Sequence, residues 1–331
     1  MSEVVRDRAA GVGGRYFSRQ RLAEYVIVAA IVVEAVVFAS IAPQFLSVPN
    51  LVNVALSIAI TGILAVGMTM VILTGGIDLS VGSVVALAGV VAAMLAAAGG
   101  SSGVAVGVAA ALAIGLGVGI FNGVVVAHFR VPPFVATLAM LTICRGLAFV
   151  LSGGRSIGNL PESFNYVGRE RVLGLPLPVI LMALVFVGGW FLLRRTVIGR
   201  YIYAVGGNRR ATFFAGVNTK RVIVLTYVLN GLLVGLAGFV LASRLGAGIP
   251  NSGIQYELDV IAAVVVGGTS LTGGQGSVVG TFWGAVFIGV LNNGLNLFGV
   301  DPYMQKIALG VVLLLAVFAD QAGKTRGADE V

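Results

Sequence analysis

The stretch Leu73-Thr74-Gly75-Gly76-Ile77-Asp78-Leu79-Ser80-Val81-Gly82-Ser83 decides how this chain is read. It lies between two long apolar segments and sets an aspartate and a cluster of glycines beside them. A charge within hydrocarbon is costly. Irregular backbone survives there only where protein or a wet cavity satisfies its polar groups. The stretch therefore reads as part of a permeation path.

Composition agrees. The chain has 331 residues, of which 58% are apolar and 10% charged, and its mean hydropathy is +1.03. A soluble domain carries roughly 25% charged residues. The expected fold is an all-α integral membrane protein with about ten transmembrane segments, some broken or re-entrant. They read as 25–42, 51–73, 81–98, 104–127, 134–151, 173–193, 222–242, 258–266, 277–298 and 304–319. Most approach the ~20 residues that cross ~30 Å of hydrocarbon as helix. Segment 258–266 is too short for a simple crossing, carries Asp259 and runs into Gly267-Gly268, so it reads as a broken helix. The first segment follows a long basic arm and precedes nine others, so it reads as a retained span rather than a signal peptide.

The net charge of +8 raises the question of nucleic acid, but the cations are distributed as a membrane topology requires. With the N-terminus inside, only Arg155, Arg169, Arg171, Arg244 and Lys306 fall outside, and Arg145 falls within a span. The remaining Lys and Arg lie inside. This predicts an N-in, C-in protein and no nucleic-acid partner. The organisation is a basic cytoplasmic arm over 1–21, one polytopic domain over 22–320 and a cytoplasmic tail over 321–331. The lone Cys144 and lone His128 leave no disulfide framework and no metal site.

Two internal patterns stand out. Gly75-Gly76-Ile77-Asp78-Leu79 before Ser83-Val84-Val85 is echoed by Gly267-Gly268-Thr269-Ser270-Leu271 before Ser277-Val278-Val279. Glycine-interrupted segments at matching places in two halves point to a transport site. Gly107, Ala111, Gly115, Gly119 and Gly123 recur every fourth residue, as do Gly231 and Gly235. Small residues at that spacing let helix backbones approach closely, here within one subunit.

The longest internal cytoplasmic stretch, 194–221, is basic, amphipathic and broken by glycine. Asn208 suits the cap of a short helix starting at Arg209, and Gly216 suits its end. With Gly207, Arg210, Ala211 and the exposed pair Phe213-Phe214, this element is built to dock into a partner's groove.

These motifs resemble the ribose-type permease subunits of ATP-binding-cassette (ABC) importers. Three further runs share the resemblance: Tyr256-Glu257-Leu258-Asp259, Leu291-Asn292-Asn293-Gly294-Leu295-Asn296 and Arg145-Gly146-Leu147-Ala148. It covers about residues 43 to 320. It implies a bacterial inner-membrane subunit paired with a second permease copy or a paralogue. Two cytoplasmic ATPases would bind the ATP and Mg²⁺, and an extracytoplasmic binding protein would deliver a monosaccharide, above all a pentose such as ribose. It also implies that 194–221 is the ATPase-coupling segment. Arg209 and Arg210 depart from the pattern, which commonly has acidic or small residues at those places.

No catalytic residue is expected. Gly323-Lys324-Thr325 lacks the first glycine of a phosphate-binding loop, since Phe318 occupies its place. Two Gly-x-Ser-x-Gly runs, at Ser101 and Ser156, lie on the side opposite His128. The chain itself then needs no cofactor. Glu34 and Arg145 fall within spans and are candidates for an intramembrane pair. Asp78 and Asp259 read as sitting at segment ends, where water access lowers the cost. The path candidates are Asp78, Ser80, Asn122, Asn292, Asn293 and Asn296, whose amides and hydroxyls could exchange hydrogen bonds with sugar hydroxyls or pack helices together. The same architecture would also suit an autoinducer, a nucleoside or a branched-chain amino acid. An ion-coupled secondary transporter is a further reading, with Glu34, Asp78 and Asp259 as proton carriers.

Overall fold

A computed structural model describes residues 25–328. The basic arm over 1–21 lies outside the described residues. The chain runs through α1 (Tyr25–Ile41), α2 (Val48–Leu73), α3 (Val81–Ala127), α4 (Pro133–Ser152), α5 (Glu162–Arg169) and a two-stranded hairpin, β1 (Arg171–Val172) with β2 (Leu175–Pro176). It continues through α6 (Leu177–Arg195), α7 (Val197–Gly207), α8 (Arg209–Phe214), α9 (Thr219–Leu245), α10 (Tyr256–Val266), α11 (Val278–Leu297) and α12 (Pro302–Ala328).

Among the described residues six helices, α2, α3, α4, α6, α9 and α11, are long and apolar enough to cross a membrane. The expected ten segments are all helical, but they are not ten equal crossings. α3 is a 47-residue helix that breaks at Gly100, where φ is +57 and ψ is −138. Its two limbs fold against each other, Gly107 packing on the Ala92 backbone. The sixth segment starts as helix only at Leu177, because Leu173 and Gly174 form the hairpin turn with φ +55 and +81. α12 runs on through Ala328, so helix continues into the stretch expected as a tail.

The 27-residue α9 is the spine of the bundle. Gly115 packs on the Gly231 backbone, Gly119 on Tyr227 and Gly235 on Ala111. The small-residue stripes thus pack the second limb of α3 against α9 within one subunit. A Cβ at Gly123 would lie 2.9 Å from the Val224 Cα, so backbone contact extends to the start of α9. Lipid supplies no hydrophobic drive between helices, so this close van der Waals contact is what holds them. Between α2 and α11 the buried Thr69 and Thr281 hydroxyls share a hydrogen bond of 2.8 Å.

Packing along α9 fixes the level of everything else. α2 runs antiparallel to it, Gly67 lying against Asn230 and the Leu56 carbonyl accepting from Arg244 Nη1 at 3.1 Å. The first limb of α3 runs parallel to it: Gly238 meets Val85, and Gly89 meets Gly238 and Ala242. At 1.5 Å per residue, α3 therefore begins about midway along the bundle. After α2 reaches one end, the chain turns back inward through 74–80 before α3 starts. After α9 reaches the other end, residues 246–255 do the same, and Gly253 backs onto Gly82. α10 then runs the opposite way, its end at Gly267 packing on Gly280 of α11.

The succession long helix, inward turn, mid-level helix, return helix therefore occurs twice with opposite direction. This corrects the repeat read from sequence. The run at Gly75 leads into a mid-level helix, whereas the run at Gly267 is a turn between α10 and α11. The two runs are neighbours rather than equivalents: a Cβ at Gly273 would lie 2.8 Å from the Gly75 amide.

Candidate functional site

Two clusters carry the polar chemistry. The first is at mid-level, where α3 begins. The Asp78 Oδ1 accepts from the Ser80 amide at 2.9 Å and from the Ser80 hydroxyl at 2.6 Å. Its Oδ2 accepts from Asn230 Nδ2 at 2.8 Å, and Asn122 Nδ2 donates to the Ser80 hydroxyl at 3.1 Å. Asp78 is 3% exposed, Ser80 1%, and Asn122 and Asn230 are fully buried. Tyr227 donates its hydroxyl to the Ile77 carbonyl at 3.0 Å, pinning the same turn.

Asp78 is thus not at a watery segment end, as its place in the sequence suggested. The inward turn carries it into the bundle, where amides and hydroxyls replace water. Burial of a charged group demands such partners. Asn230 and Tyr227 were not among the candidate residues. An amide in the middle of an apolar span, beside Gly231, is the signal that could have found Asn230.

The asparagines of α11 lie elsewhere. Asn293 and Asn50 exchange two amide hydrogen bonds, of 2.9 and 3.0 Å, and Asn50 also donates to the Phe45 carbonyl at 2.8 Å. Asn50 starts α2, whereas the Asp78 cluster is level with Gly67, roughly 25 Å further along that helix at 1.5 Å per residue. The structure does not bring the two sets of candidates together. The side-chain amides of Asn292 and Asn296 have no hydrogen-bond partner among the described residues, and Asn296 is exposed.

Nor does it bring Glu34 to Arg145. Arg145 donates from Nη1 to the Pro250 and Ser252 carbonyls at 2.6 and 2.8 Å, holding the second inward turn. Glu34 Oε2 is buried without a partner among the described residues. The pairing fails because Arg145 is claimed by backbone carbonyls that irregular structure leaves free.

The second cluster is the 197–217 element at the basic end. Asn208 caps α8, its side-chain oxygen accepting from the Ala211 amide at 2.9 Å. Gly216 closes the helix at φ +84, its amide donating to the Phe213 carbonyl at 3.0 Å. Phe213 and Phe214 are 62% and 84% exposed, their ring centroids 5.9 Å apart. The preceding α7 is anchored. Ile202 and Val205 are buried, and the Tyr203 hydroxyl donates to the Gly276 carbonyl at 2.9 Å. Burial raises the Tyr203 pKa above the usual phenol range, which keeps the donor protonated. Gly206 packs without a side chain against the Leu73 carbonyl and the Gly274 amide, and that amide donates to Leu73 at 2.9 Å. Tyr203 and Gly206 were also missed. Their role depends on loops distant in sequence.

A model of the permease component of branched-chain amino acid transport systems matches residues 50–317. The chain belongs to this permease family. The permease is 46% identical over 312 residues to the ribose import permease protein RbsC of Escherichia coli strain K12, covering 93% of this chain and 97% of the relative. Against RbsC of Bacillus subtilis strain 168 the identity is 47% over 281 residues, covering 84% and 87%. The xylose transport system permease protein XylH of Escherichia coli strain K12 is 36% identical over 364 residues, covering 91% and 92%. No solved structure matches the permease. Family and apolar helices together make it a multi-pass inner-membrane protein. As the permease component of a transport system, it implies partner subunits.

Proposed function

We propose that the permease is the membrane subunit of an ABC importer that passes ribose, or a closely related pentose, into the cytoplasm. The observation that carries this reading is the 46% identity to a ribose import permease over nearly the full length of both chains. A xylose importer is the second reading, favoured by the 36% identity to XylH. ATP and Mg²⁺ belong to two partner ATPase subunits, and the pentose arrives on a binding protein. A second permease copy or a paralogue completes the membrane part.

In this reading the basic end is cytoplasmic, and both termini lie on that side. The 197–217 element couples the permease to the ATPase: Phe213 and Phe214 enter its groove, and α7 carries the motion to the turns at 73–76 and 273–276. Within the path, the Asp78 cluster holds the start of α3 in place. Asn292 and Asn296, four residues apart on one helical face and with side-chain amides unpaired among the described residues, are the better candidates for sugar contact.

Co-purification of the permease with its ATPase and binding protein tests the reading, followed by a ligand screen on the binding protein. A pentose as the tightest ligand supports it. A leucine-type amino acid or a nucleoside as the tightest ligand refutes the substrate. A cysteine placed at Ser163, in the exposed part of α5, should label from outside. One placed at Asn218 should label only after the membrane is opened.

A further inference from the structure

The basic end holds a cleft of about 1160 Å³ between α8, the connection at 130–133 and the start of α9. Arg130, Arg209, Arg210 and Lys220 line it, and no carboxylate among the described residues does. All four cations are exposed, and none has a hydrogen-bond or ion-pair partner among the described residues. The rings of Phe213 and Phe214 border the same opening.

The topology rule explains why cations gather at this end of the protein. It does not explain why they converge on one concavity from three separate parts of the chain. Lys220 is moreover placed against local electrostatics. It stands with Arg221 in the first turn of α9, a turn without acidic residues. The amino end of a helix is its positive end, and cations there are disfavoured. An anionic occupant of the cleft converts that repulsion into attraction.

We infer that the cleft receives an acidic segment of the partner ATPase. Docking is then reciprocal: Phe213 and Phe214 enter the ATPase, and an acidic segment of the ATPase enters the permease beside them. The inference rests on the importer reading above. It goes further in fixing the charge of the matching surface and in adding Arg130 and Lys220, which lie outside α8, to the interface. A peptide segment suits the size of the opening and the two aromatic rings at its edge.

The test titrates the detergent-purified permease with the ATPase that co-purifies with it, over a series of NaCl concentrations and without added lipid. The Arg130→Glu, Lys220→Glu variant leaves α8 untouched. It should weaken ATPase binding at least about tenfold at low salt, and its binding should depend less steeply on salt than the wild type's. Arg130→Gln with Lys220→Gln should fall between, and Arg130→Lys with Lys220→Arg should bind as the wild type does. Each variant is first shown to elute as a monodisperse species. Wild-type affinity and salt dependence in both the Glu and the Gln variants would overturn the acidic segment while leaving the importer reading intact. Failure of the wild type itself to bind any ATPase would overturn the importer reading. If the Glu variant keeps its ATPase affinity but loses co-purifying anionic lipid, the occupant is a headgroup and the inference is wrong.

Discussion

Asn230 of α9 donates from Nδ2 to the carboxylate of Asp78 at 2.8 Å, tying the middle of the bundle's spine to an inward turn 152 residues earlier. Among the described residues no cation accompanies that carboxylate in the hydrogen-bond network. Its partners are the Ser80 amide, the Ser80 hydroxyl and the Asn230 amide, so Asp78 acts as the organiser of the turn from which α3 starts.

Removing the organiser should cost more than removing one of its partners. Asp78→Ala strands three buried donors, at about 1–3 kcal/mol each when nothing replaces the acceptor. Asn230→Ala removes one donor and leaves the two from Ser80 in place. We expect thermal unfolding in detergent to rank wild type above Asn230→Ala and Asn230→Ala well above Asp78→Ala. A wild-type midpoint for Asp78→Ala would contradict the assignment.

The Asn50–Asn293 pair is structural in the same sense, but it consists of neutral amides. Asn293→Leu should lower stability by about 1–3 kcal/mol, because the buried Asn50 side chain loses both bonds to α11 and keeps only the one to the Phe45 carbonyl. Adding Asn50→Leu should recover part of the loss, since two apolar side chains then face each other. Pentose uptake should persist in the double variant at reduced expression. Abolished uptake in a well-expressed double variant would place this pair on the path instead.

Adjacent glycines in the proposed coupling element should behave oppositely. A Cβ at Gly206 meets the Leu73 carbonyl and the Gly274 amide, both backbone atoms that cannot swing aside, whereas a Cβ at Gly207 meets nothing within 4 Å. Gly206→Ala should unseat α7 and sharply lower ATP hydrolysis stimulated by the loaded binding protein, with the permease still inserted. Gly207→Ala should leave that stimulation within about twofold of wild type. Equal effects of the two substitutions would show that the contact at Gly206 does not transmit motion.

Gly216 ends α8 with its backbone at φ +84, a conformation that β-branched residues avoid. Gly216→Val should misaim Phe213 and Phe214 without touching any membrane span. Uptake and stimulated hydrolysis should both fall severely, while ligand binding by the isolated binding protein stays unchanged. Normal uptake and hydrolysis in Gly216→Val with Phe213→Ala would remove the coupling role from this segment.

Local features were legible in the sequence, and tertiary ones were not. Apolar runs located the long helices, because hydrocarbon demands length and composition that few other segments share. Asn208 and Gly216 marked both ends of α8, because capping chemistry acts within a few residues. The small-residue stripes were correctly read as packing within the subunit. By contrast, nothing near Asp78 in sequence reveals that α3 starts midway along α9. That level is set by where Gly82 meets Gly253 and where Asn230 faces the turn, contacts between residues far apart in the chain. The same distance hid Arg145's carbonyl partners and made Glu34 look like its match. It also made two neighbouring glycine runs look like equivalent ones, when the true repeat has opposite direction. The amphipathic α5 and its hairpin were not read at all, being short and partly merged with the following span.

In the importer reading, this permease moves a pentose at the expense of ATP hydrolysed by a partner. The most direct test reconstitutes the permease with its ATPase and binding protein in liposomes and follows labelled ribose. Accumulation that requires ATP and the binding protein, resists a protonophore, and is competed by unlabelled ribose more strongly than by xylose or leucine is the expected result. Uptake without ATP that collapses when the proton gradient is dissipated would contradict it.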